Sequence, residues 1–182
     1  MQVAIHHMAF ATRDADATHR FYTELMGFHL AKVVTGPTPQ GGWARHLFYA
    51  TGGRADEGMI AFWELHVPAI GEVRTAISRD LGLPDWVNHL AFTATTRDDL
   101  DAARRRWTDG GFEVLEIDHG FCVSIYVNDP NGILVEWCHD TRPLGETDAL
   151  EAAERRVGPP TEMDSPVDAT VHPPTNRAPL SG

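Results

Sequence analysis

The sequence predicts an α+β fold assembled from two copies of one βαβββ unit. Three observations carry that expectation: an internal repeat, period-two hydrophobicity around it, and a Gly-Phe exit at matching places in each copy. Residues 5–12 read Ile-His-His-Met-Ala-Phe-Ala-Thr, and residues 87–94 read Val-Asn-His-Leu-Ala-Phe-Thr-Ala. Arg13-Asp14 follows the first and Arg97-Asp98 the second; a helical stretch comes next, then Gly27-Phe28 and Gly111-Phe112. One shared tetrapeptide is weak evidence. A strand, cap, helix and exit in the same order is much harder to obtain by chance.

The elements follow in order. Residues 3–11 and 86–94 are apolar and β-branched and read as strands. Asp14 and Asp98 suit helix N-caps, and the helices run to about Met26 and Asp109, each ended by a glycine. Strands are expected at 28–35, 43–51 and 58–66, and again at 112–118, 121–128 and 132–139. Asn128-Asp129-Pro130-Asn131-Gly132 is a tight turn between the last two. Residues 69–82 suggest a short helix ending near Gly82-Leu83-Pro84, and 146–157 one more. From Gly158 the chain is proline-rich and reads as a loosely draped tail, or as an arm wrapping a partner subunit. The expected organisation is a first module at 1–67, a linker at 68–85, a second module at 86–141, and a C-terminal helix with a flexible tail at 142–182.

Composition narrows the function classes. The 182 residues carry a formal net charge of −11, which argues against a nucleic-acid partner. Lys32 is the only lysine, and the run Arg104-Arg105-Arg106 reads as a solvated helix face. No apolar run is long enough to span a membrane, and no secretory leader is legible. Two cysteines, Cys122 and Cys138, make no disulfide framework and suit a reducing cytoplasm.

Strand side chains alternate faces. His7, Ala9 and Ala11 therefore share one face of the first strand, and His89, Ala91 and Thr93 one face of the fifth. Each histidine stands beside small residues, which leaves room before the ring for a ligand or metal. His6 alternates to the other side. Glu136 sits in the apolar run Ile133-Leu134-Val135-Glu136-Trp137-Cys138, where a carboxylate is costly unless paired or metal-bound. A hairpin centred on Pro130 pairs Tyr126 with Leu134 and Ser124 with Glu136, so Tyr126, Ser124 and Glu136 face one cavity with Cys122 and Cys138 nearby.

With those residues in place, the sequence over 3–140 resembles the vicinal oxygen chelate superfamily. That fold is shared by glyoxalase I, bleomycin- and fosfomycin-resistance proteins and type I extradiol dioxygenases. The resemblance implies a curled, open, eight-stranded mixed sheet around a divalent metal held by His7, His89 and Glu136. The second module resembles the extradiol signature: His119, five residues, Ile125-Tyr126, Val127-Asn128, Asp129-Pro130-Asn131-Gly132, then Glu136. By that resemblance His119 and Tyr126 touch the bound substrate. Two imidazoles and a carboxylate suit Fe(II), with open positions for a diol or enediol and for dioxygen. Mn, Ni, Co and Zn are the alternatives. Members of the superfamily often form dimers, so a homodimer is expected too.

Two places depart from the pattern. Ring-cleaving members carry a histidine near the start of the first module's last strand, where this chain has Glu57-Gly58-Met59-Ile60. His46, on the preceding strand, is the substitute acid/base, with His66 behind it. Aligning Phe62-Trp63 with Glu136-Trp137 puts Phe62 at the ligand place, but Glu64 two residues on could reach the metal through a bulge. Three functions follow: an Fe(II) dioxygenase acting on a small aromatic diol or enediol; a glyoxalase-type lyase, isomerase or epimerase using Glu64 as fourth ligand or base; and a bleomycin-resistance-like binding protein. Trp43, Phe48, Phe62 and Phe121 are the aromatic residues available for cavity walls, although plain core is the commoner role for each.

Overall fold

The computed structural model describes residues 5–52, 58–160, 162–165 and 167–176. Residues 3 and 4 of the first expected strand, Glu57, and the end of the tail at 177–182 lie outside them. The first copy runs β1 (His7–Thr12), α1 (Ala15–Arg20), β2 (His29–Pro37), β3 (Trp43–Ala50) and β4 (Met59–His66). After the short α2 (Ile77–Asp80), the second runs β5 (His89–Thr93), α3 (Arg97–Asp109), β6 (Val114–Asp118), β7 (Cys122–Asn128) and β8 (Leu134–Asp140). Then come α4 (Glu146–Arg155) and β9 (Asp168–His172). Among the described residues, no helix is long and apolar enough to cross a membrane.

Local chemistry explains the helix ends. Asp14 caps α1 by accepting from the Ala17 amide at 2.8 Å. The expected cap at Asp98 is two residues late. Thr96 has the extended backbone a cap needs, accepts from the Asp99 amide, and is answered by the Asp99 carboxylate on its own amide. Asp98 sits inside the first turn, where its charge still suits the helix dipole. Both Gly-Phe exits close the same way. Gly27 and Gly111 take φ of +78° and +90°. The amide of Phe28 returns to the Tyr22 carbonyl at 2.9 Å, and that of Phe112 to Trp107 at 3.0 Å. The first closure reaches one residue further because α1 widens into a π-helical turn over Phe21–Leu25.

The strands form a four-stranded sheet, β1-β4-β3-β2, and a five-stranded sheet, β5-β8-β7-β6-β9. β1 and β4 run parallel, and β3 is antiparallel to both β4 and β2. Neither sheet closes on itself. By compactness the chain divides into one unit of Met1–Leu90 with Asn128–Val135, and another of Ala91–Val127 with Glu136–Pro179. Phe21, Tyr22, Leu47, Tyr49, Ile60 and Phe62 fill the core of the first; Leu100, Ala103, Trp107, Val114 and Ile125 fill that of the second.

Two expectations are corrected. The linker helix is a single turn, Ile77–Asp80, because Gly71 at φ +68° breaks the earlier half of the segment. The tail is not uniformly draped: β9 adds a ninth strand antiparallel to β6, Val114 to His172 through Asp118 to Asp168. Its end is tied by His172 Nε2 to Glu116 Oε2 at 2.8 Å. A composition reading averages five strand-forming residues into a proline-rich stretch and loses them.

Candidate metal centre

In the first unit, strand register decides which side chains keep company. Cross-strand rows run His7–Met59–Ala50, Ala9–Ala61–Phe48 and Ala11–Trp63–His46. His7 and His46 therefore share a face, with ring centroids 6.2 Å apart, and Phe48 lies 5.4 Å from His7. His46 is 7 % exposed and stacks on Trp63, with centroids 3.8 Å apart and planes within 14°. Among the described residues its Nε2 has no hydrogen-bond partner. Burial, and next the neighbouring His7, hold its pKa below the ordinary histidine value.

Glu64 is on the other face. It sits in the row of Thr12 and Arg45, behind the sheet from His7. Arg45 holds one carboxylate oxygen at 3.3 Å and His66 the other at 2.9 Å. The notion that a bulge turns Glu64 to the metal is corrected, because β1, β4 and β3 keep an unbroken register past it. His66 is occupied on that same face, stacked on Trp43 at 3.8 Å. Phe62 is a core residue, fully buried against Tyr22 with centroids 4.8 Å apart.

The histidine rings show how each is held. His89 Nδ1 lies 2.9 Å from the Trp86 carbonyl oxygen. A carbonyl only accepts, so Nδ1 carries the proton and Nε2 the lone pair. This is the arrangement that metal-ligating histidines use. His7 Nδ1 lies 2.8 Å from Nδ1 of His6, so its outward nitrogen is again Nε2. The donor chemistry of His89 thus fits ligation through Nε2, and that of His7 does so in the tautomer protonated on Nδ1. Among the described residues, no three His, Cys, Asp or Glu side chains are grouped closely enough to hold an ion. The fit rests on donor chemistry and strand position rather than on a preformed cage.

Glu136 belongs to the second unit and is 5 % exposed on β8. Two backbone bonds bracket the β7–β8 hairpin: Asp129 N to Ile133 O, and Thr141 N to Phe121 O, both at 2.9 Å. They put Tyr126 opposite Glu136 and Ser124 opposite Cys138, two residues from the expected register. The turn holds an extra pair because Asp129 Oδ1 accepts from both the Asn131 and Ile133 amides. A shift of two preserves the face, so Tyr126, Ser124 and Glu136 still look the same way. Burial raises the Tyr126 pKa to about 12; Ser124 opposes that by hydrogen bonding and Glu136 adds to it. His119 Nε2 lies 3.0 Å from the Tyr126 hydroxyl. His119 stands at the β6–β7 turn, where its amide bonds the Cys122 carbonyl at 2.9 Å and Gly120 takes φ +84°. Burial, and then a hydrogen bond with Cys138, raise the Cys122 thiol to about 12, so Cys122 behaves as a packing residue.

The sequence reading passed over two residues at this site. Trp86 acts through its backbone carbonyl, which leaves no side-chain signal. His6 was set aside by alternation, although an adjacent pair of histidines can bond ring to ring at a strand's start.

Two open mixed sheets from repeated βαβββ units, with a histidine opening each repeat and a buried glutamate on the last strand of the second, define an α+β protein of paired βαβββ modules. Residues 4–137 match the sequence model of the Glyoxalase/Bleomycin resistance protein/Dioxygenase superfamily, and the chain belongs to that superfamily. No curated protein matches the sequence significantly. Among solved structures, a glyoxylase/bleomycin resistance protein/dioxygenase domain from Frankia sp. EAN1pec is 19% identical, covering 77% of this chain and 99% of its own, with a TM-score of 0.57. A lactoylglutathione lyase from Agrobacterium tumefaciens is 20% identical over 76% of this chain and 95% of its own, TM-score 0.51. TnmS3, an antibiotic binding protein from Streptomyces sp. CB03234, is 18% identical over 77% and 98%, TM-score 0.52. At such identities these likenesses speak for the fold alone.

Proposed function

We propose that the chain is a metal-dependent oxygenase of extradiol type, with His7, His89 and Glu136 as ligands and a small aromatic diol or enediol as substrate. The observation that carries this reading is the hydrogen-bonded line His119–Tyr126–Glu136, in which a tyrosine stands between a histidine and the proposed carboxylate ligand. A bound ferrous ion would supply Lewis acidity and redox chemistry beside that line.

The chain's own residues do the rest. Tyr126 keeps its hydroxyl proton at neutral pH, since its pKa is pushed to about 12. Its one proton, given to Glu136 here, would turn to a developing oxyanion on the substrate once an ion takes that carboxylate. His119 Nε2, at 3.0 Å, orients that hydroxyl. On the first unit, His46 is held uncharged by burial and offers an unpartnered Nε2 as a proton acceptor near His7.

Glyoxalase-type proton transfer asked for Glu64 beside the metal. Its ion pairs on the far face of β4 favour the oxygenase reading instead. The deciding experiment is metal analysis of protein purified without oxygen, followed by oxygen uptake on a panel of catechols. Iron with uptake supports the proposal. A redox-inert metal without uptake sinks it in favour of lyase or isomerase chemistry, and ligand binding without any metal points to a binding protein.

A further inference from the structure

The two proposed imidazole ligands are held by different kinds of partner. His89 meets a carbonyl oxygen, which fixes its tautomer outright. His7 meets another imidazole: the two Nδ1 atoms of His6 and His7 are 2.8 Å apart, with ring planes at 76° and centroids 5.0 Å apart. At that separation one Nδ1 carries the proton and the other the lone pair. If His6 donates, His7 must keep its proton on Nε2 and has no lone pair there for an ion. If His7 donates, its Nε2 is a ligand.

We infer that His6 is a positioning residue for His7: its Nδ1 accepts the Nδ1 proton of His7 and so holds His7 in the tautomer whose Nε2 binds the ion. This rests on the reading of His7 as a metal ligand. The change is a tautomer shift only: His7 takes Nδ1–H and His6 takes Nε2–H. His6 thereby does for His7 what the Trp86 carbonyl does for His89. The difference is that an imidazole partner permits the wrong tautomer as well, so His7 is the ligand whose competence depends on its neighbour. The backbone supports the placement, because the His6 carbonyl accepts from the Met59 amide at 3.0 Å and ties the residue to the start of the β1–β4 pair.

The test uses the full chain, ¹⁵N-labelled, with zinc as a diamagnetic probe. In metal-free protein, a through-hydrogen-bond ¹⁵N–¹⁵N coupling between the two Nδ1 atoms is expected. In zinc-loaded protein, long-range ¹H–¹⁵N spectra are expected to show His6 protonated on Nε2. His6→Ala is expected to weaken zinc binding about tenfold or more, the usual effect of losing such a partner. His6→Asn, whose Oδ1 accepts in place of Nδ1, should restore most of that affinity. His6 is exposed, so the fold should survive both changes, with circular dichroism as the check. An absent coupling, Nδ1–H on His6 in the zinc form, or unchanged zinc affinity in His6→Ala would each overturn the inference. Failure of the metal reading looks different: the coupling is present, yet zinc does not bind, or binds equally well to His7→Ala. That result leaves a paired His6–His7 without a ligand to support, and so overturns the inference by a separate route.

Discussion

Tyr22 donates its hydroxyl proton to Asp129 Oδ2 at 3.1 Å, joining residues 107 positions apart. One belongs to the π-helical turn after α1, the other to the Asp-Pro-Asn-Gly turn between β7 and β8. Asn131 extends the contact, donating from Nδ2 to Thr18 at 3.0 Å and accepting on its carbonyl oxygen from the Thr75 hydroxyl at 2.8 Å. The turn that sets the β7–β8 register is thus fixed by a buried polar network.

Removing one member of this network should cost stability without touching the proposed ligands. In Tyr22→Phe, Asp129 keeps the Asn131 and Ile133 amides and Asn131 Nδ2. Only one bond is lost, so urea denaturation should show a loss of about 1.5–3 kcal/mol. Asp129→Ala strands the Tyr22 hydroxyl and two amides together and should cost more than Tyr22→Phe. Equal stabilities would mean that the turn is held by something other than these bonds.

His46 gives a prediction in pH. Burial first, and the adjacent His7 next, depress its folded pKa below the ordinary histidine value of 6.5. The folded state therefore binds fewer protons than the unfolded one near that pH. The stability this contributes is complete above about 6.5, the unfolded value, and drains away as pH falls through the folded pKa. Between pH 8 and 5 the melting temperature of the wild type should fall more steeply than that of His46→Phe, which keeps the ring stack on Trp63. Parallel curves would count against a proton-poor His46.

The repeat in the sequence placed both histidine-bearing strands, both helices and both glycine exits, because those depend on local chemistry that recurs in the two copies. The shared facing of Tyr126, Ser124 and Glu136 was legible because a register shift of two leaves the period-two alternation unchanged. The rest depended on long-range partners. The Tyr126–Glu136 pairing was off by two because the Asp129 turn is shaped by its own side chain. Glu64 stayed open as an alternative because the alignment with Glu136 does not say which face β1 and β3 impose on β4.

Tyr126 and Glu136 should separate chemistry from metal retention. Tyr126→Phe removes the donor that His119 orients, but no ligand. Metal content should stay at the wild-type level while kcat falls about 100-fold, the scale for one lost oxyanion donor. Glu136→Gln, His7→Ala and His89→Ala should instead lose metal. Full occupancy in all three would end the ligand assignment.

Glu64→Gln is the matched control. Its partners Arg45 and His66 are partly exposed, so the ion pairs contribute at most about 1 kcal/mol. Metal content and turnover should both match the wild type. A variant that folds normally yet loses metal would put the carboxylate back among the ligands and revive the isomerase reading.

The ninth strand makes the last case. β9 covers the edge of β6 across five paired positions, and its own side chains are largely exposed. It therefore contributes backbone hydrogen bonds and edge protection more than apolar burial. Its side-chain anchor is Glu116, which also bonds Arg97 at 2.7 Å and lies 3.6 Å from Arg104. A chain ending at Val157 bares β6 as an unpaired edge, a surface that invites strand-to-strand association. Sedimentation velocity should then show concentration-dependent association absent from the full chain, with only a modest drop in melting temperature. His172→Ala in the full chain removes the anchor but not the ladder, so it should melt slightly earlier and show no added association. If the shortened chain neither associates further nor melts earlier, β9 is not docked on β6 in solution.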